Sequence, residues 1–353
     1  MAERQPALVT PFWVRIATES SLSPGWLLIA FPAVLYPVYL ALEVLFGRGL
    51  AAATDFAGDW EAQVPPIVAA SLGYVSMMGV YVARGSFRDL EALRPVLQGG
   101  ESVYTELSQK LIRFNRGHLW VGGLVGLALF IVLQETSFTR WTRLLAGEWS
   151  LHDPFSAAIP ALAWIVGGRG AAFVVDSARL YSEIGERHVE IDLLDLAPLA
   201  PLTRHGIGIV LLLTVLPALS VMIWTLLGRS LPNLPALAIL LPCLVILVVA
   251  TAAFLFPVRG LRRQIRIRKA EELSKLRERI RRNRELADGF GAESAEAGAK
   301  LPGLLAYKHE IESVREWPFD APTLTRCFLY VAIALGSWVG GALVERLLGA
   351  SLD

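Results

Sequence analysis

The sequence predicts an all-α polytopic membrane protein, and three observations carry that prediction. Mean hydropathy is +0.50, and 54% of the residues are apolar against 18% charged, above the roughly 45–50% apolar share of soluble domains. The apolar residues gather in runs of about 20, the length that a hydrocarbon core about 30 Å thick demands of a helix. The charge, a net +1, is segregated between loops, so it encodes topology and implies no general attraction to nucleic acid.

Residues 1–23 read as a cytoplasmic interfacial segment. Phe12 and Trp13 beside Arg15 place it at the headgroup level, where Trp prefers the interface and Arg keeps its head in water. A six-helix membrane domain over 24–258 follows, with spans at 24–46, 64–83, 118–134, 155–175, 206–227 and 234–258. A seventh span at 324–348 lies within a last segment of 324–353. The run 26–46 is too long for the h-region of a secretory signal, about 7–15 residues, and reads as an uncleaved first span. Lys and Arg are dense in the second loop (Arg84, Arg88, Arg94, Lys110, Arg113, Arg116), the fourth (Arg179, Arg187, Arg204) and the sixth. Opposite them stand Arg48, then Arg140 and Arg143, then Arg229. The N-terminus is therefore expected inside and the C-terminus outside.

The cytoplasmic loops carry helical pattern of their own. Ser86-x-x-Asp89 reads as a capping box ahead of Phe87, Leu90 and Leu93. After Gly99-Gly100, the spacing of Val103, Leu107, Leu111 and Phe114 extends the third span into the cytosol. The fourth span runs on through Leu180, Ile184 and Ile191 and stops at the Pro198 and Pro201 turn. Together these predict a packed inner domain.

Within the spans, Arg169 in Gly167-Gly168-Arg169-Gly170 is the candidate intramembrane charge. An Arg at a helix centre costs about 2.5–3.5 kcal/mol on insertion scales. Either the span ends early and the side chain snorkels, or it faces a wet cavity. Glu43 and Glu345 fall near the outer ends of the first and seventh spans and read first as interfacial charges. Gly122-x-x-x-Gly126 and Ala332-x-x-x-Gly336-x-x-x-Gly340 form small-residue ridges for close helix packing. Gly336, Ser337, Gly340 and Glu345 are the candidate pore or packing residues of the seventh span.

Enzyme chemistry is disfavoured. There is no Walker loop, no H-E-x-x-H and no G-x-S-x-G. Cys243 and Cys327 both sit in apolar runs, which gives neither a disulfide framework nor a zinc spacing. The five histidines are scattered, and Glu186, His188, Glu190 and Asp192 read as a solvated face. No cofactor or metal is implied.

The polar insertion 259–323 reads as a cytoplasmic helical hairpin. Twelve basic residues lie between Arg259 and Arg284, interleaved with Leu261, Ile265, Leu273, Leu276 and Ile280, so a helix continues the sixth span. Arg259, Arg262 and Arg263 are candidate contacts to anionic lipid headgroups, at about 1 kcal/mol per residue. From Arg277 onward an upright helix would stand roughly 27 Å from the boundary, beyond a Debye length of about 8 Å. Arg277, Arg281 and Arg284 therefore need another partner. The returning arm, with Leu304, Tyr307, Ile311 and Val314 at a/d spacing and with Glu310, Glu312 and Glu316, can supply it across a Gly/Ala-rich linker at 287–300. The pairing can run within one chain or between two. Trp317 and Phe319 then mark re-entry, with Asp320 as N-cap of the last span.

Seven spans, with an inner helical domain feeding the last of them, resemble the seven-transmembrane ion channel superfamily that includes insect odorant and gustatory receptors. That family's seventh-span pattern is Thr-Tyr, five apolar residues, then Gln-Phe. Here Leu329-Tyr330, the five residues 331–335 and Gly336-Ser337 stand in that place, and Tyr330 matches. The resemblance implies a homo-oligomeric ion channel with the seventh span near the pore and the hairpin as assembly or gating element. The composition and the Arg315-Glu316-Trp317-Pro318-Phe319-Asp320 corner resemble a bacterial inner-membrane protein, which implies no activity. The alternative is a non-conducting scaffold or sensor whose hairpin docks a cytoplasmic protein. The bilayer and its anionic headgroups are partners under either reading.

Overall fold

The computed structural model describes residues 8–46, 50, 54, 60–137, 146–147, 152–216, 237–288, 292–317 and 325. Over these residues the chain is all-α apart from one two-residue ribbon and a single antiparallel bridge between Leu97 and Val189. Strand β1 (Leu8–Val9) leads into α1 (Phe12–Glu19), and a short turn at Pro24–Trp26 opens α2 (Leu27–Phe46). Helix α3 (Trp60–Leu93) is followed by α4 (Gly100–Ile112), β2 (Phe114–Asn115), α5 (Arg116–Ser137) and α6 (His152–Glu183). A single π turn at Ile184–His188 ends α6; α7 (Ala200–Leu213), α8 (Leu237–Ala287) and α9 (Ala292–Ser313) complete the described elements.

Among the described residues, four helices are long and apolar enough to cross a membrane, over Pro24–Leu45, Pro65–Val96, Ala157–His188 and Leu244–Ala287, with shorter apolar helices at Arg116–Val132 and Ala197–Leu213. The four overlap the expected first, second, fourth and sixth spans, and the two shorter ones overlap the third and, over 206–213, the fifth. The seventh, with Gly336, Ser337, Gly340 and Glu345, lies outside the described residues. The bundle's outward surface is apolar: Ile29 is 74% exposed, Leu45 70% and Val248 60%. Water would make that arrangement costly, whereas hydrocarbon makes it neutral.

The helices pack closely where glycines permit it. A Cβ built on Gly168 of α6 would lie 2.1 Å from the carbonyl oxygen of Gly122 on α5, and one on Gly126 would lie 2.1 Å from that of Trp164. The Gly122/Gly126 ridge is therefore the α5–α6 crossing, and Gly168 is its counterpart. One hydrophobic core fills this part of the bundle, with Trp13, Met78, Phe114, Phe173 and Ile209 among its buried members.

Trp13 is 3% exposed, seated on Gly79 with its ring 5.5 Å from that of Phe173. Antiparallel pairing of β1 with β2 holds α1 there. Trp13 is therefore a core residue and not a surface one as expected, whereas Phe12 is 42% exposed. Glu43, expected at an interface, is also buried, at 2%.

A second core lies beyond the arginine-rich end of the bundle. It gathers Leu90, Leu93, Leu107, Leu111, Tyr181, Ile184, Leu202, Leu261 and Ile265 from α3, α4, α6, the π turn, α7 and α8. This is the packed domain that the loop patterns predict, but its parts differ. Ser86 does not begin a helix: α3 runs unbroken to Leu93, and the Ser86 hydroxyl donates to the Val82 carbonyl 2.9 Å away. Helix α4 does not extend the third span, because β2 separates it from α5. Its start requires glycine: Gly99 has φ +97° and Gly100 φ +61°, the left-handed region that side chains avoid. Ile191 lies past the π turn, outside any helix.

Helix α8 has 51 residues, about 77 Å at helical rise, and α9 packs along its far part. The stretch expected as a linker is mostly helical, since α9 begins at Ala292 and its Ala/Glu-rich start is good helix-forming sequence. Near the tip, a Cβ on Gly298 would lie 4.0 Å from the Ala287 side chain. Near the base, Lys269 Nζ donates to the carbonyls of Glu312 and Val314, both at 2.7 Å. The two arms are therefore antiparallel. Leu276, Ala297 and Ile311 are buried between or beneath them.

Candidate functional site

Apart from Glu43 and Ser76, the polar residues buried among the described helices lie at the arginine-rich end of the bundle. The deepest group joins α3, α6 and α7. Asp89, 2% exposed, accepts from Arg204 Nε at 3.0 Å and from a terminal guanidinium nitrogen at 2.5 Å. His205 Nδ1 stands 3.7 Å from the other carboxylate oxygen, and His205 Nε2 is 3.2 Å from Ser177 Oγ. The Tyr181 hydroxyl donates to the Ser86 carbonyl at 2.5 Å, and its ring stacks on His205 with centroids 3.9 Å apart.

A proton on Nδ1, the nitrogen nearer Asp89, would leave Nε2 to accept from Ser177. That order of Ser, His and Asp is the hydrolase order, yet the surroundings lack the rest of the machinery. Ser177 lies inside α6, where backbone N–H groups serve the helix and offer no oxyanion donors. It is fully buried, and neither Ser177 nor His205 lines the cleft or the cavity described next. The group is a polar joint that fixes three helices. The pattern Ser86-x-x-Asp89 signalled it under another interpretation, while Ser177, Arg204 and His205 gave no local signal.

Beside it, the end of α6 crosses α8. A Cβ on Gly260 would lie 2.2 Å from the Ser182 carbonyl oxygen, and Gly185 of the π turn packs on the Leu261 backbone. Around this crossing is a cleft of about 600 Å³ lined by Arg179, Arg187, Arg259, Arg263, Glu183, Glu186 and Phe256. Arg263 is paired with Glu186, and Lys110 reaches Glu183 at 3.2 Å. Arg179 lies over Phe256, 5.8 Å from the ring centre. Among the described residues, Arg187 and Arg259 form no ion pair. Of the expected headgroup contacts, Arg259 and Arg263 line the cleft, whereas Arg262 lies over the Trp317 ring at 4.3 Å.

An apolar cavity of about 530 Å³ lies between α3, α5, α6 and α8, walled by residues such as Val75, Val125, Leu129, Ala163, Gly167 and Val249. His118, Asp176 and Arg179 line its polar part. His118 Nδ1 is 3.0 Å from Asp176, and Arg179 is 3.7 Å from it. Arg169 is absent from the cavity wall. Its side chain passes over Gly123, and its guanidinium sits 5.9 Å from the Trp120 ring centre, nearer the start of α5. Helix α6 continues 14 residues beyond Arg169 to Glu183, the run-on past the fourth span that the sequence predicts.

The hairpin charges pair differently from expectation. The contacts at its tip and base set Glu310, Glu312 and Glu316 beside the stretch from Arg262 to Lys269, not beside Arg277, Arg281 and Arg284. Arg281 pairs with Glu278 and Glu285 on its own helix, at 2.9 and 4.0 Å, and Lys308 with Glu312 on α9. Among the described residues no ion pair joins Arg277 or Arg284 to the returning arm. Glu190 and Asp192, expected on a solvated face, are exposed and border an open cleft with Asp195, Glu271, Glu272 and Tyr307. Burial, with Glu272 and Asp192 nearby, pushes the Tyr307 phenol above its ordinary range. Among the described residues no cluster is set to hold a metal. No family model matches the chain, and neither a curated protein nor a solved structure matches it, so function is argued from the geometry alone.

Proposed function

We propose that the chain is a seven-span inner-membrane protein, N-terminus inside and C-terminus outside, that acts as a non-conducting scaffold or sensor through its cytoplasmic hairpin. The observation that carries this reading is the reach of α8 and α9. The helix continues from Arg259 to Ala287 beyond the apolar part, about 42 Å at helical rise, and its far part is exposed. Arg277, Arg279, Arg282 and Arg284 are all solvent-facing and, among the described residues, free of ion pairs. An exposed cationic strip at that distance from a leaflet is screened from lipid. Its natural counterpart is an acidic protein surface. The channel reading turns on the seventh span, which lies outside the described residues, and on assembly of several copies around it.

Two measurements on the full chain test this. A photo-crosslinking residue at position 282 is expected to capture a different protein in the cell. Capture should fall at least tenfold in the R277Q/R279Q/R284Q variant while membrane insertion is retained. Reconstituted liposomes are expected to show no ion flux above empty controls. Flux through purified protein, or crosslinks only to a second copy of the chain, would replace the scaffold with the homo-oligomeric channel.

A further inference from the structure

We propose that the basic cleft and the apolar cavity form one binding site for a single anionic phospholipid, with an acyl chain in the cavity and the phosphate at the arginines. Arg179 lines both spaces, so an apolar volume inside the bundle adjoins a cationic one at its end. The cavity, about 530 Å³, falls in the range of ligand sites, about 300–1,000 Å³. Its apolar walls supply the hydrophobic part of the affinity.

The charge at the mouth selects the headgroup. Arg179, Arg187, Arg259 and Arg263 line the mouth with Glu183 and Glu186, four cations against two carboxylates; beside them Lys110 sits between Glu106 and Glu183 and Asp176 beside Arg179. Glu183 and Glu186 are already engaged by Lys110 and Arg263, and Arg179 is shared with Asp176. Arg187 and Arg259 are left with planar donor forks suited to phosphate oxygens. A neutral lipid would gain the cavity but not this pairing. A soluble phosphate would gain the arginines but not the cavity. Surface attraction to a leaflet needs neither, which separates this site from a general lipid contact.

The proposal rests on the bundle being membrane-embedded, and carbonate extraction of cell membranes checks that premise separately. A chain released by carbonate would overturn the membrane reading and the lipid site with it. For a carbonate-resistant chain, the full protein in neutral detergent is titrated with dioleoyl phosphatidylglycerol, dioleoyl phosphatidylcholine or inorganic phosphate. Thermal unfolding is followed by Trp fluorescence, and co-purified lipid is read by mass spectrometry.

Phosphatidylglycerol is expected to raise the midpoint at concentrations at least tenfold below those of phosphatidylcholine, with inorganic phosphate inert. The R187Q/R259Q variant should lose that preference. G167L should weaken both lipids, since a Cβ at Gly167 meets nothing within 4 Å and a leucine there projects into the cavity. Equal response to the two lipids, or a preference that survives both variants, would leave only the lipid annulus. A shift reproduced by inorganic phosphate alone would leave a soluble-anion site. Either result overturns the proposal.

Discussion

Gly167 and Gly168 are adjacent on α6, and adding one methyl group to each should have opposite effects. At Gly168 a Cβ would sit 2.1 Å from the Gly122 carbonyl oxygen and 3.0 Å from its carbon. The obstacle is backbone, so no rotamer change relieves it. Restoring a tolerable contact requires α5 and α6 to separate by roughly 1 Å, an overpacking strain of about 1–3 kcal/mol. The separation would also loosen the neighbouring approach of Gly126 to the Trp164 carbonyl. Helix propensity returns at most about 1 kcal/mol. G168A should therefore be destabilised, by about 1–3 kcal/mol net.

At Gly167 nothing lies within 4 Å of the added atom, so G167A keeps the propensity gain and should be neutral to about 1 kcal/mol more stable. The assay is unfolding of the detergent-solubilised chain by titrated sodium dodecyl sulfate, followed by Trp fluorescence, with both variants run against the parent. G168A as stable as G167A would refute the close crossing of α5 and α6.

Further outcomes follow from the cores and the joint. W13A, which removes a side chain only 3% exposed, should cost about 3–5 kcal/mol, whereas F12A should change stability little in the same assay. For the buried pair, D89N and R204Q should each destabilise by about 2 kcal/mol. That is below the usual 3–5 for breaking a buried pair, because the Arg204 side chain is 55% exposed and water can partly replace it. The double variant should reveal a coupling of about 1–2 kcal/mol, and additive losses would deny the pair. Lys110 is pushed down by burial, but Glu106 and Glu183 more than offset this and hold its ammonium above the usual range. Its contribution is thus present below the unfolded value of 10.5 and is lost as pH rises through the higher folded value. With Lys110 39% exposed, the loss should be under about 1 kcal/mol, read as a steeper decline in unfolding midpoint above about pH 10.5 for the parent than for K110M.

Part of the candidate site was legible from local pattern. Gly122-x-x-x-Gly126 announced a close crossing, and α5 meets α6 there. Arg259 and Arg263 were picked out by their place just past an apolar run, and both line the basic cleft. The hairpin was legible as two helical arms, but its charge pairing was not. Counting bases on one arm against acids on the other overlooked Glu278 and Glu285, which lie one turn either side of Arg281 on its own helix and reach it without the longer crossing to α9. The register decided the rest, by setting the acidic end of α9 at the base of the hairpin.

By itself the sequence determined the all-α class, the apolar helices and the continuation of the sixth span into a long polar helix. These depend on hydropathy and periodicity, which are summed over neighbours along one chain. Tertiary structure alone decided that Ser177, His205 and Asp89 meet, since 88 residues separate Asp89 from Ser177 and 28 more lead to His205. It also decided that Arg179 serves two spaces and that Gly168, but not Gly167, faces a backbone. The physical reason is the same in each case. A helix presents a different direction every 100° or so, and only packing against a partner assigns each direction to core, cavity or lipid.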